Sequence, residues 1–275
     1  MSLTKKIDFA VIIGVKNANP NGDPLNGNRP RQNYDGLGEI SDVAIKRKIR
    51  NRLQDLGQEI FVQSQERSDD GQHSLTSRYN QFVSTLDKEI KGNPDLLSQK
   101  LCQHWLDVRS FGQVFAFKSK EAKGVSIGVR GPVTVQSAFS VEPVDVESIQ
   151  ITKSVNGEET KDGGKASDTM GMKHRIDKGI YVTFGSINTQ LASKTGFSDE
   201  DAELIKEAIS TLFDNDESSA RPAGSVWVEQ VIWWEHNSLA GQYSSAKTHR
   251  SLVVKSDGSY EVETLEGLKY EECIK

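Results

Sequence analysis

The chain has little of what most catalytic or secreted proteins display. Its 275 residues include only two cysteines, Cys102 and Cys273. They match no metal or disulfide spacing, which points to a reducing cytoplasm. The five histidines, His73, His104, His174, His236 and His249, show neither HxH nor HExxH spacing and read as surface or packing residues. There is no Walker loop, no GxGxxG and no GxSxG elbow, so neither a cofactor nor a resident metal is called for. No apolar run approaches the roughly 20 residues that span a bilayer, and the opening MSLTKKIDF lacks a signal peptide's apolar stretch. A membrane partner is therefore not expected. The net charge of −5 excludes a protein coated in positive charge.

What is present is unevenly distributed. From Lys16 to Arg52 there are eight Lys and Arg against four Asp and Glu, whereas from Asp199 onward acids outnumber bases. An acidic outer face with a basic inner surface steers an anion to one place and repels it elsewhere. At 35% hydrophobic and 27% charged residues, the composition is that of an ordinary soluble protein. The length allows one elaborated domain or two.

The most informative stretch is Asn17–Arg52. Phe9–Val15 is apolar and reads as a buried strand. It empties into a loop of about two dozen residues, rich in Asn, Gly and Pro and carrying Arg29 and Arg31, which is long for a compact domain. Ser41 or Asp42 then caps a helix. Ile45, Ile49, Leu53 and Leu56 form its apolar stripe, while Lys46, Arg47, Lys48, Arg50 and Arg52 fill the remaining surface. Lys46 and Arg50 lie one turn apart and can grip neighbouring phosphates, as can Lys48 and Arg52. Few acids lie nearby in sequence to neutralise them. Strand, polar loop and basic helix in this order suit a cradle for a polyanion, although basic residues on a helix's outer face are usually a solvated surface.

Punctuation and periodicity give the rest of the layout. Gln58–Lys100 reads as helical in pieces: Tyr79, Phe82, Val83, Leu86 and Ile90 form one stripe, Gly92-Asn93-Pro94 breaks it, and Leu96, Leu97, Leu101 and Trp105 begin another. Asp107–Phe117 and Val125–Val141 are strand-like. Ser148–Gly179 is polar and glycine-containing and predicts a long hairpin, followed by a strand over Ile180–Ile187. Phe197–Glu200 opens a helix with acids in its first turn, whose buried face is Ala202, Ile205, Ala208, Ile209 and Leu212. Val226–Glu235 is the last strong strand. Strict alternation puts Trp227 and Trp233 on one face and Trp234 with Val226, Val228 and Ile232 on the other; packing is their expected role. Ser251–Val254 and Tyr260–Val262 flank an Asp257-Gly258 turn.

Without its insertions the order is strand, helix, strand, strand, helix, strand. That is an α+β chain with the split βαβ order of the ferredoxin-like fold, on which RNA-recognition modules are also built. Several further segments suit a nucleic acid. Arg109-Ser110-Phe111-Gly112 combines a phosphate fork, a hydroxyl, an aromatic platform and a glycine, although an ordinary strand entry has the same composition. Arg130 stands among glycines, where backbone can approach a ligand closely. Lys173-His174-Arg175 sits where the hairpin rejoins the body. Asp23, Asp35, Glu39 and Asp42 could hold magnesium beside RNA, but turns and caps explain them more simply.

The combination NPNGD (Asn19–Asp23), SDVAIKRKIR (Ser41–Arg50), DVRSFG (Asp107–Gly112), RGPVTVQSAFS (Arg130–Ser140) and SSARP (Ser218–Pro222) resembles the backbone subunits of type I CRISPR Cascade, members of the RAMP superfamily, with the type I-C branch nearest. The resemblance implies a right-hand shape. An RNA-recognition-motif-like palm would take residues 1–57, 106–147 and 180–275. Residues 58–105 would form helical fingers and residues 148–179 a hairpin thumb. It implies a non-catalytic protein whose copies polymerise head to tail along CRISPR RNA beside other Cascade subunits, leaving the spacer free to pair with target DNA. Carried over by position, Lys46 and Arg50 would face the guide backbone and Arg109 and Phe111 the palm edge. Ser137, Lys173 and His174 would line the thumb side, and Asn17, Asn19 and Asn21 would lie beside the guide or the adjacent subunit. With Arg29, Arg31, Arg47, Ser110 and Arg130 from the residue-level reading, these form the expected RNA-binding set. Two rivals stand beside this expectation. One is a metal-dependent RNA-cleaving RAMP subunit using Asp23 or Asp35. The other is a free-standing RNA-binding protein, for which the aromatic RNP motif is missing.

Overall fold

A computed structural model describes residues 2–117, 126–152 and 170–274. Its centre is β1 (Ile7–Ala18). Every residue from Ile7 to Val15 is buried, because both faces of this strand are covered. Asn17 (φ 53°) takes a left-handed conformation near the strand's end. The chain then makes the short ladder β2 (Gly22–Asp23) with β3 (Arg29–Pro30), reaches the edge strand β4 (Leu37–Ile40) and enters α1 (Asp42–Asp55). The Ser41 side chain caps α1 by accepting from the Ala44 N–H, and Ile45, Ile49 and Leu53 are its buried stripe, as the spacing predicts.

The helical insertion follows as α2 (Leu75–Ser84), α3 (Lys88–Gly92) and α4 (Pro94–His104). Asn93 caps α4 and Pro94 starts it, an arrangement favoured because proline's missing N–H has no helical partner in the first turn. These helices have their own core: Phe61, Tyr79, Val83, Leu97, Leu101, Trp105 and Phe115 pack together. The chain returns through α5 (Leu106–Phe111), β5 (Gly112–Phe115), β6 (Ile127–Arg130), β7 (Val133–Val135), β8 (Ala138–Pro143) and β9 (Val146–Thr152). After β10 (Met170–Ile187) come α6 (Thr189–Thr195), α7 (Asp199–Ser210) and β11 (Val226–Glu235). The final elements are α8 (Ser245–Arg250), β12 (Leu252–Val254), β13 (Tyr260–Val262) and β14 (Lys269–Cys273).

The main sheet runs β14-β11-β1-β10-β8-β4, with β7 and β9 also pairing with β10. All its pairings are antiparallel. One face packs against α1, α6 and α7 through Phe9, Val11, Ile45, Ile49, Ile205 and Trp233 among others. The other face, around Ala10, Ile232 and Trp234, is covered by the C-terminal segment through Leu252 and Leu268.

Three sequence expectations need correction. Glu229 bulges out of β11: Ile12 faces Gln230 while Ile13 faces Val228. The extra residue flips the alternation, so Val226, Val228 and Val231 share the helix-side core with Trp233, while Trp227 lies opposite Gly14. Asp107–Phe111 is a helix rather than strand, held by packing of Leu106 and Val108. The hairpin's second arm and the strand at Ile180 are one continuous 18-residue strand, β10. The short helices α6 and α8 and the edge strand β14 had no strong periodic signal. Of the expected thumb, β9 and the first part of β10 pair from Val146–Ile176 to Thr152–Met170. Its remaining residues, 153–169, with Gly157, Gly163 and Gly164, lie outside the described set, as does Val125.

Candidate nucleic-acid interface

The loop after β1 is tied down by its asparagines. Asn19 donates from its backbone to Ala220 O (2.9 Å) and from its side chain to Asn28 O (2.7 Å). It is buried, and its Oδ1 has no hydrogen-bond partner among the described residues. Asn21 Oδ1 accepts from the Ser41 N–H (2.9 Å), and the Arg31 N–H donates to Asn21 O (3.0 Å). Ser137 Oγ accepts from the Asp42 N–H (3.2 Å) and donates to Glu39 (3.0 Å). Asn21 and Ser137, far apart in the chain, thus meet at the start of α1.

The cations of α1 are not the free row that the sequence suggests. Lys46 pairs with Asp42 at 3.1 Å, and Arg47 donates to Val62 O at 2.6 Å. Lys48 is buried against Asp216; burial pushes its ammonium down to about 8, against the pull of Asp216. Arg50 meets Asp107 at 2.9 Å and lies over the Phe111 ring at 5.0 Å. Arg52 donates to Thr211 (2.7 Å) and reaches Asp214 (3.6 Å). The acids missing from the neighbouring sequence are delivered by tertiary structure. Lys46 and Arg50 therefore do not present a bare phosphate grip: Lys46 keeps a partly exposed side chain, whereas Arg50 is largely covered.

The Asp107–Gly112 segment is likewise turned inward. Asp107 accepts from the Phe61 and Val62 N–H groups at 2.7 and 3.1 Å as well as from Arg50. Arg109 grips Asp201 with two hydrogen bonds of 2.9 and 2.8 Å, and Asp201 is itself part of the capping box of α7. Ser110 is fully buried, so it does not offer its hydroxyl to a ligand on this surface, contrary to expectation. Nor does Gly131, next to Arg130, make room for a ligand. A Cβ on Gly131 would stand 2.2 Å from Ser110 O and 2.4 Å from Phe111 C; the backbone it lets in is the end of α5. Arg130 is exposed and makes no ion pair with a described residue.

A different group converges at the base of the β9–β10 arm. Arg29 Nη1 donates to Ser148 Oγ at 2.6 Å, and His174 Nδ1 shares that hydroxyl at 2.9 Å. Lys173 faces Ile149 across the arm, and Arg175 pairs with Glu147 (2.8 Å). Arg31 lies 3.5 Å from Asp23. Sequence reading missed Lys16 and Lys178, which are direct cross-strand neighbours on β1 and β10. Both are exposed, and neither has an ion pair among the described residues. Like charges facing each other are unfavourable in a ladder, and Glu142, Asp145, Asp177 and Asp257 line the same hollow. Only strand register, invisible in the sequence, brings the two lysines together.

Three of the four acids weighed as metal ligands are otherwise engaged: Asp23 caps a short 3-10 turn, Glu39 accepts from Ser137 and Asp42 pairs with Lys46. Among the described residues, no group of three or more His, Cys, Asp or Glu is arranged to hold a metal, and no helix is long and apolar enough to cross a membrane.

Comparison with known proteins gives similar chains. A Haloferax volcanii protein described as CRISPR-associated protein Cas7 is 27% identical over 222 residues, which is 74% of this chain. The chain spans 63% of that relative's length. A chain from a solved structure described as a CRISPR RNA-guided surveillance complex, pre-nicking, aligns with TM-score 0.49 at 16% identity, covering 83% of this chain and 75% of its own length. A chain from another CRISPR RNA-guided surveillance complex aligns with TM-score 0.49 at 17% identity over 92% of this chain and 77% of its own. The family model described as CRISPR-associated protein Cas7 matches residues 5–271, so the chain belongs to the Cas7 family.

Proposed function

We propose that this chain is a non-catalytic backbone subunit of a type I CRISPR Cascade complex, nearest the type I-C branch. Several copies polymerise head to tail along one CRISPR RNA, beside the other Cascade subunits in the cytoplasm, and hold its phosphates without reading bases. The spacer stays exposed for pairing with target DNA. The observation that carries this reading is the convergence of Arg29 and His174 on Ser148, where the loop after β1 meets the arm. Lys16, Lys173 and Lys178, on the adjoining strands, have no ion pair with a described residue. Phosphate and sugar contacts of this kind position a nucleic acid but carry no sequence information, which suits a protein that must accept any spacer. The strand order β11-β1-β10-β8 supports an RNA-recognition-motif-like palm, with α2–α4 as fingers and the β9–β10 arm as thumb. An open filament needs two different complementary surfaces on each copy.

The test is assembly with the partner subunits on CRISPR RNAs of unrelated spacers, read by native mass spectrometry and by affinity at several salt concentrations. Several copies per RNA are expected, with equal affinity across spacers. Arg29→Ala with His174→Ala should weaken binding equally for all of them. Each lost phosphate contact should flatten the slope of log affinity against log salt by about 0.7. Unchanged affinity and slope would remove the arm base from the interface; one copy per RNA with a strong spacer preference would replace the filament by a free-standing binder.

A further inference from the structure

We propose that the outer edge of β14 is a docking site for an extended, basic segment of a partner protein, separate from the guide-binding surface. Among the described residues, β14 ends the main sheet and pairs only with β11. Apart from that ladder, residues 269–273 make no backbone hydrogen bond with another described residue. In an antiparallel edge strand, alternate N–H and C=O groups point away from the sheet and can template another strand.

The edge borders a groove of about 740 Å³ between β14 and α7. Leu204, Cys273 and Ile274 give it an apolar lining, and Ile274 is 65% exposed. Its rim is acidic, with Glu200 and Glu203 on the helix side and Glu271 and Glu272 on the strand side. Among the described residues lining it, the cation Lys206 already bridges Glu203 (2.9 Å) and Glu271 (3.0 Å). A neighbouring hollow extends the acidic band to Asp199 and Glu235.

Charge selects the occupant. RNA and DNA are repelled by this rim. A second copy offering its own β14 would set Glu271 and Glu272 against the same glutamates, and like charges facing each other across a ladder are unfavourable. A strand with Lys or Arg at alternate positions satisfies the open backbone edge, reaches the carboxylates and lays its other side chains over Leu204 and Ile274.

The probe is a fluorescein-labelled eight-residue peptide alternating lysine with valine or threonine, titrated into the intact protein and read by anisotropy. Two companions carry glutamate in place of lysine, or N-methyl groups on alternate backbone amides. The lysine peptide should bind, the glutamate peptide should not, and N-methylation should cost at least tenfold, since several edge hydrogen bonds are lost together. Glu203→Lys with Glu271→Lys, both exposed positions, should cost about tenfold with an unchanged Tm. Hydrogen exchange should slow at residues 269–273 on binding. Equal affinity for the N-methylated peptide overturns strand addition, and no binding at millimolar peptide overturns the site. Peptide-sensitive self-association in ultracentrifugation would assign the edge to a second copy and overturn the partner proposed here.

Discussion

Asp8 shows how a single carboxylate organises the back of the sheet. It is fully buried, accepts from Lys6 (2.8 Å) and His236 (2.9 Å), and lies 3.7 Å from His249. Burial alone would raise its carboxyl, but the hydrogen bonds from His236 and Lys6 hold it at about 2. Its contribution to stability is therefore present above the ordinary carboxylate range of about 4 and is lost as the pH falls towards 2. His249 works at higher pH. Burial holds its imidazole below the ordinary value, despite the opposing pull of Asp8. The unfolded chain takes up that proton first, so Tm should fall as the pH drops below about 6.5. His104, also held low by burial, adds a slope of the same sign. His249→Gln should reduce the loss of Tm between pH 7 and 5, measured by calorimetry; an unaltered slope would show that His249 is not coupled to folding. Gly131 gives a second residue-scale prediction. Its would-be Cβ meets backbone rather than a movable side chain, so Gly131→Ala should destabilise by about 1–3 kcal/mol, the usual range for overpacking. A chemical-denaturation midpoint equal to the parent's would refute that crossing.

At the scale of elements, helix α1 was legible in its boundaries and its buried stripe but not in its charged face. Ser41 and the Ile45–Ile49–Leu53 spacing are local signals, whereas Asp107 and Asp216 reach Arg50 and Lys48 from 57 and 168 residues away. No local pattern predicts those partners. The same reason hid the Glu229 bulge, which depends on the register against β1, and the Lys16–Lys178 pair. The helical identity of Asp107–Phe111 was hidden by its β-prone Val108 and Phe111, whose preference is overridden by packing. The Arg50–Asp107 contact joins α1 to the base of the fingers. Because Asp107 also caps the Phe61 and Val62 N–H groups, Asp107→Ala leaves a covered arginine and two amides without their acceptor. Breaking a buried pair in this way costs about 3–5 kcal/mol. We expect Asp107→Ala to lose stability on that scale in urea denaturation. A loss of guide affinity without a loss of stability would instead return this segment to the RNA interface.

At the scale of the molecule, the buried core and the proposed guide contact lie in different parts. The main core and the finger core contain the buried hydrophobic residues, whereas β9 from Glu147 to Thr152 is exposed along its length, with Ile149, Ile151, Met170 and Met172 open to solvent. The arm thus buries little, and most of its apolar side chains gain nothing from the fold alone. Ser148 and His174 are direct cross-strand partners. Residues 149–173 can therefore be replaced by an Asn-Gly turn, which closes a two-residue hairpin with the right twist, while the Arg29–Ser148–His174 contact is kept. Surface changes of this kind usually stay within about 0.5 kcal/mol, which corresponds to about 2 °C or less in a chain of this size. The shortened protein should melt within that interval of the parent, yet assemble fewer copies on CRISPR RNA by native mass spectrometry, because the proposed reach of the arm over the guide is gone. A large drop in Tm would make the arm part of the core. Undiminished assembly with normal melting would assign guide-holding to the palm alone.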